Sequence, residues 1–157
     1  MPELPEVESI RRKLNLVLLN RQIQQIEVLR DKSFLSFSSL AIEISNQTVL
    51  EVRRRAKILQ IVLSGKRDLL IHLKMTGQLI FVDTSGQRVG GGHPTADWVN
   101  DLPTKHTRVI FTFADGSRLF FNDMRVFGWI RSPLKQDVDK EFVNYGPDVN
   151  DPNLTVD

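Results

Sequence analysis

Pro2 carries the most unusual chemistry this sequence offers. Initiator methionine is normally removed when a small residue follows, and proline qualifies, so Pro2 would then present a free secondary amine. An α-amino group has a pKa near ~8, far below the ~10.4 of lysine. The positive end of a following helix lowers it further, because the dipole disfavours a cation there. A useful fraction is then an unprotonated nucleophile near neutral pH. A secondary amine that attacks a sugar C1′ or an aldehyde gives an iminium, an electron sink for elimination. Glu3 sits beside it, placed to protonate or deprotonate the reacting sugar. The plainer alternative is that Pro2 and Pro5 only start a helix. Proline after methionine is common enough that chemistry alone favours that alternative.

Four further clusters could act. Arg53, Arg54, Arg55 and Lys57 form the run RRRAK. On a strand, Arg53, Arg55 and Lys57 share one face and Arg54 the other. Such a face grips phosphates or puts a lysine into a site, or it is simply solvated. IHLKMTG (71–77) puts Met75 just before a Thr-Gly turn, where a methionine is either core filler or an exposed apolar tip. FNDMRVFG (121–128) packs Asp123, Arg125 and Phe127 at the end of a strand. An arginine beside an aromatic wedge is a device for unstacking bases and contacting the exposed partner. TKHTR (104–108) gathers Lys105, His106 and Arg108 at a loop-to-strand boundary suited to phosphate contact. Taken singly, each is more readily structural. His72 and His93 lack companions at metal-ligand spacing, and there is no Walker loop, Ser-His-Asp arrangement or GxGxxG.

These residues need elements to hold them. From Pro5 to about Asn20, Val7, Ile10, Leu14 and Leu18 recur near helical spacing, which predicts an amphipathic helix stopped at Asn20. Proline in the first turn and glutamates near the positive end of the dipole agree with that start. Strands are expected over 22–30, 47–55, 56–64, 68–75 and 77–83, with Gly65-Lys66-Arg67 turning between two of them. Residues 33–45 are ambiguous between a strand and a short helix. Residues 84–106, with four glycines and two prolines, read as one long loop. Residues 107–123 form a hairpin about Asp115-Gly116, and 127–132 give one more strand. The fold expected is mostly β, a β-sandwich flanked by an N-terminal helix.

Composition sets the frame. The 157 residues suit one domain with a sizeable core, and 41% hydrophobic with 25% charged residues is ordinary for a globular protein. No run reaches the ~18 apolar residues of a membrane helix, and the acidic N-terminus is no signal peptide. Without cysteine there is neither a disulfide framework nor a thiolate metal site, and an intracellular place follows weakly. The net charge of +2 hides an asymmetry: residues 1–136 hold 20 basic and 13 acidic side chains, an excess of seven positive charges. A body that basic suits a polyanion such as nucleic acid, although basic surfaces also serve solubility. Residues 137–157 hold six acidic side chains against Lys140, and with Pro147 and Pro152 they read as an acidic exit linker. The expected domain is therefore 1–136.

Together the clusters resemble the bacterial formamidopyrimidine-DNA glycosylase family. The likeness is carried by MPELPEVE at 1–8, RRAK at 54–57, HLKMTG at 72–77, KH at 105–106 and DMRVFG at 123–128, in family order. Leu4 and Val7 favour this branch over the related endonuclease VIII branch, which tends to begin PEGPE. The resemblance implies a bifunctional DNA glycosylase and AP lyase of base excision repair. Its expected substrates are oxidised purines, 8-oxoguanine and formamidopyrimidines, flipped out of damaged double-stranded DNA. By that analogy Pro2 attacks C1′, Glu3 is the acid/base, and base loss leaves a Schiff base that undergoes β,δ-elimination. Lys57 is implied as proton donor and phosphate contact, and Glu6 as part of the site's hydrogen-bond network. Met75, Arg125 and Phe127 match the trio that fills the vacated space and contacts the orphaned cytosine. His106 and Arg125 match DNA-contact positions, and Arg55 joins the residues expected on DNA. The implied protein is a monomer of the bacterial cytoplasm, associated with the nucleoid and not with a membrane.

Three departures stand out. The typical DPRRFG reads DMRVFG, with Met124 for proline and Val126 for the second arginine; the usual KHDHV reads KHTRV, bringing in Arg108; and the loop at 84–104 is longer than typical. The family continues into a helix–two-turn–helix domain and a zinc finger with one structural zinc. The present sequence is expected to be the N-terminal domain without them, needing no cofactor of its own and gripping DNA weakly. The alternative is a DNA-binding remnant without catalysis.

Overall fold

The computed structural model describes residues 2–35, 37 and 43–145 of the chain. It begins with helix α1 (Leu4–Leu18), whose Val7, Ile10, Leu14 and Leu18 face the core at the spacing the sequence sets. Proline occupies its first turn, and Asn20 stands just past its end with φ 66°, the left-handed conformation that ends helices.

Among the described residues nine strands follow: β1 (Ile23–Val28), β2 (Val49–Arg55), β3 (Ile58–Leu63), β4 (Leu69–His72), β5 (Gly77–Val82), β6 (Arg88–Gly92), β7 (Thr107–Phe113), β8 (Arg118–Asp123) and β9 (Trp129–Arg131). They form two antiparallel sheets, in the orders β1-β7-β8-β5-β6 and β2-β3-β4-β9. Inward side chains of both sheets, among them Leu59, Ile61, Ile71, Leu79, Phe81, Phe111 and Phe121, make one core with the apolar face of α1. The expected β-sandwich with a helical flank is the fold found.

Each open side of the sandwich is closed by a helix. α1 lies against β2 and β6, the edge strands on one side. Its Asn15 accepts from the Val52 amide (2.7 Å) and Arg11 donates to the Val52 carbonyl (3.4 Å), so helix side chains satisfy backbone groups of that edge. On the other side a 3-10 turn, Asp31–Phe34, buries Phe34 between β1 and β9.

Three expectations change. The loop expected over 84–106 contains β6, paired along β5, and a 3-10 turn at Ala96–Trp98. Its sequence RVGGG argues against a strand, since glycine is depleted there. The glycines answer to packing: a Cβ on Gly91 would lie 2.5 Å from Ile10 of α1, too close for any side chain. Of the ambiguous 33–45 stretch, Ser33 and Phe34 end the 3-10 turn, while residue 36 and residues 38–42 lie outside the described residues. The expected linker opens as helix α2 (Val138–Tyr145), whose Val138 and Phe142 pack on Ile58, Leu70 and Trp129. The run is short and acidic, and Val138 and Phe142 alone give too few turns for a 3.6-residue period to stand out. The remainder of that linker, 146–157, is not among the described residues.

Candidate functional site

One end of the sandwich collects the residues with chemistry. Ile58 pairs with His72, and His72 with Trp129, so the start of β3, the end of β4 and the start of β9 are level. The Ala56-Lys57 turn, the 73–76 turn and the 124–128 loop therefore project together. Gly77 pairs with Asp123, which brings the other sheet to the same end.

Pro2 is buried, directly before the helix-capping Glu3, whose carbonyl accepts the Glu6 (3.0 Å) and Val7 (2.9 Å) amides. The Glu3 side chain makes no cap bond and is 77% exposed, and Lys57 Nζ stands 3.8 Å from its Oε2. Glu6 lies exposed on the first helical turn. Lys57 is not on a strand, contrary to expectation. Arg55 and Ile58 are directly paired, which leaves Ala56 and Lys57 as a two-residue turn with Ala56 at φ 49°. The run of shared faces thus stops at Arg55, and the turn aims the lysine at the start of α1.

The arginines beside it are already engaged. Arg55 donates to Asp139 of α2 (2.7 Å), and its guanidinium sits 4.2 Å from the centre of the Phe142 ring. Arg53 pairs with Glu51. Arg54 donates to Glu8 (2.8 Å) and to the Ala56 carbonyl (2.9 Å). Glu8 also takes bonds from Arg11 (3.0 and 2.9 Å) and Arg12 (2.9 Å). Arg11, helped by Arg54 and Arg12 against partial burial, holds its pKa down at about 2. Sequence reasoning passed over Glu8, although its spacing to Arg11 and Arg12 is that of helical ion pairs.

His72, weighed in the sequence only as a metal ligand, has a different place. It is 5% exposed, packs tilted against Trp129 with ring centres 5.6 Å apart, and accepts the Lys74 amide at Nδ1 (3.0 Å). Burial, then the charges of Lys74 and Lys57, push its pKa down to about 4. The ring is neutral at pH 7 with its proton on Nε2.

Two exposed apolar tips stand beyond it. Met75 (44% exposed) tops the 73–76 turn, and Phe127 (50% exposed) the 124–128 loop, with Arg125 exposed between Met124 and the buried Val126. A fully buried carboxylate joins their bases. Asp123 accepts from the Thr76 hydroxyl (2.5 Å) and the Gly128 amide (2.7 Å), and Thr76 in turn accepts the Arg125 amide (3.0 Å). Arg108 donates to the carbonyls of Asp123 (2.8 Å) and Met124 (3.4 Å). Val126 sits at φ 58°, strained for a β-branched residue. His106 lies at this end too: its carbonyl accepts the Asp123 amide (2.9 Å), and its Nδ1 is 3.0 Å from Asp97. Burial pushes the Asp97 carboxyl up, but hydrogen bonds from His106, Thr104 and Thr95 outweigh it and hold the pKa below the ordinary value. Among the described residues no three His, Asp or Glu side chains gather as a metal site, and no helix is long and apolar enough to cross a membrane.

This helix-capped sandwich of five and four strands, whose first residues meet a hairpin lysine, shares its fold with the N-terminal domains of one class of DNA glycosylases. The formamidopyrimidine-DNA glycosylase N-terminal domain model matches residues 1–130, and the chain belongs to that family. The formamidopyrimidine-DNA glycosylase of Ligilactobacillus salivarius is 39% identical over 129 residues, 82% of this chain and 41% of that protein. That of Rickettsia peacockii is 38% identical over 145 residues, 92% of this chain and 48% of that protein. Lactococcus lactis Fpg bound to abasic-site DNA superposes with a TM-score of 0.74 at 26% identity, covering 90% of this chain and 47% of that one. The same enzyme with DNA containing N7-benzyl-Fapy-dG gives 0.75 at 27%, covering 91% and 48%. The chain spans about half the length of the relatives it matches.

Proposed function

We propose that this domain carries the catalytic end of a base-excision DNA glycosylase with AP-lyase activity, acting on oxidised purines in duplex DNA. The observation that carries the reading is Pro2 at the foot of α1, with Glu3 next in the chain and Lys57 Nζ 3.8 Å from the Glu3 carboxylate. The reading requires removal of Met1. The Pro2 nitrogen then uses its lone pair to bond C1′, and the lesion base departs with the electrons of the glycosidic bond and a proton. Glu3 hands a proton to O4′ as the C1′–O4′ bond opens, which leaves an iminium. Loss of a C2′ proton expels the 3′ phosphate, and a second elimination expels the 5′ phosphate. The positive end of α1 keeps part of the amine unprotonated.

DNA is held, on this reading, by the basic body and opened at the wedge. Lys57 neutralises a phosphate beside the reacting sugar. Phe127 and Met75 fill the space the flipped nucleotide leaves, and Arg125 reaches the orphaned base. Partners named for the relatives support this: the Lactococcus lactis neighbours were solved on abasic and Fapy-dG DNA.

Borohydride trapping with an 8-oxoguanine duplex tests it. The chain lacking Met1 is expected to form a covalent adduct, and Pro2→Gly to reduce adduct formation at least about 100-fold. An adduct undiminished in Pro2→Gly would sink the nucleophile. Binding with no adduct at all would mark a DNA-binding domain without catalysis.

A further inference from the structure

The Lys57 ammonium is useful only if it stays beside the first residues of α1, yet its direct contact there is weak. The partner carboxylate of Glu3 is 77% exposed, and an ion pair of that kind contributes little. The backbone beneath Lys57 is held differently. Arg54 uses one guanidinium nitrogen on Glu8 (2.8 Å) and another on the Ala56 carbonyl (2.9 Å), immediately before Lys57. Ala56 is fully buried at φ 49°, a conformation its own side chain does not favour. Glu8 is fixed in turn by Arg11, and Arg11 by the Val52 carbonyl of β2.

The contacts close a circuit. Glu8 lies on the same rigid helix that Glu3 caps, so the helix sets the distance from Glu8 to Pro2 and Glu3. Arg54 sets the distance from Glu8 to the turn, and Lys57 leans back from the turn to Glu3. With side chains 24% and 20% exposed, Glu8 and Arg54 are half-buried and linked through two parts of one guanidinium, a geometry lysine cannot reproduce.

From this we infer that Glu8 and Arg54 are the positioning pair for Lys57, registering the β2–β3 turn against the N-terminal proline. Neither need touch DNA. The inference rests on the reading of Pro2 and Lys57 given above, and its effect falls on the rate of the covalent step.

The test is single-turnover borohydride trapping on an abasic duplex with the full chain. Glu8→Gln is expected to slow adduct formation about tenfold while the half-saturating DNA concentration stays within about twofold. In a Lys57→Ala background Glu8→Gln should have no further effect, because the residue it positions is gone. Arg54→Lys keeps a charge for Glu8 but not the forked contact, and it is expected to trap as slowly as Glu8→Gln. It also serves if Glu8→Gln does not fold. Wild-type rates in the folded variants, or a multiplicative loss in the double variant, would overturn the pair's role. If the wild type forms no adduct, the Pro2 reading fails separately. The pair is then read from the Lys57 ammonium resonance in 15N-lysine spectra, where Glu8→Gln must shift it; an unmoved resonance overturns the inference.

Discussion

The reactive end and the wedge sit at the same end of the sandwich but are built from different materials. Glu3 and Lys57 meet across 3.8 Å at the surface, and behind them Glu8 gathers three arginines, all partly in water. The wedge tips are exposed as well, yet the group that joins their bases, Asp123, has no solvent contact. Surface ion pairs give little stability, whereas a buried carboxylate and its partners are costly to separate. The difference matches the tasks proposed for each. A group that exchanges protons with a sugar needs water and some freedom, and a wedge that parts stacked bases needs a rigid base. Stability should therefore depend on the wedge's foundation and hardly at all on the reactive end.

The largest break in that comparison is Asp123→Ala. It leaves the Thr76 hydroxyl and the Gly128 amide without their buried acceptor. Two such groups together cost about 4 kcal/mol, and the melting temperature should fall by roughly 10 °C. A fall of only a degree or two in a calorimetric scan would show that the loops hold each other by packing alone.

His72 sharpens the comparison with pH, since it lies between the regions, next to Lys57 and Lys74. Its pKa is lowered in the folded chain to about 4 from 6.5. The folded state thus favours the neutral ring. The stability this gives is present in full above about pH 6.5, is lost as the pH falls, and is gone below about pH 4. Over that window it amounts to about 3 kcal/mol. His72→Gln should flatten the stability profile between pH 4 and 6.5, measured by denaturant melts at each pH. An equal slope in the variant would assign the loss to other groups.

Much of this could be read from the chain itself. The helix start, its apolar stripe and the Asn20 stop are local features, and eight of the nine strands followed from alternation and turn residues. β6 did not, because Gly91 is set by Ile10 of a distant helix, and Gly90 and Gly92 by the close approach of the β5 backbone, not by local preference. Pro2, Glu3, Lys57, Met75, Arg125 and Phe127 were named from residue type and motif, and they share one end of the fold. His106 was named on the same grounds and lies at that end, its carbonyl on the Asp123 amide and its Nδ1 on Asp97. Arg108 was noted as a departure only; its support of the Asp123 and Met124 carbonyls depends on strand register, which a linear reading does not give. The Thr76 bond to Asp123 and the Arg54 bond to Glu8 join residues far apart along the chain, so that part of their weight appears only in three dimensions.

The smallest expected effect on stability isolates the wedge itself. Phe127 is half exposed, so Phe127→Ala should change unfolding free energy by no more than about 0.5 kcal/mol. Its effect on function should depend on the state of the DNA. Opening a stacked duplex costs a few kcal/mol, and the aromatic tip offsets part of that cost. A single-stranded abasic oligonucleotide has no such stack to open. Phe127→Ala should therefore slow adduct formation about tenfold on duplex 8-oxoguanine DNA, equal to about 1.4 kcal/mol. On the single strand it should stay within about twofold of wild type, whereas Pro2→Gly should lower both at least about 100-fold. An equal loss on both substrates would move Phe127 from the wedge to the reactive end, because only a group acting on the sugar is indifferent to the opposite strand.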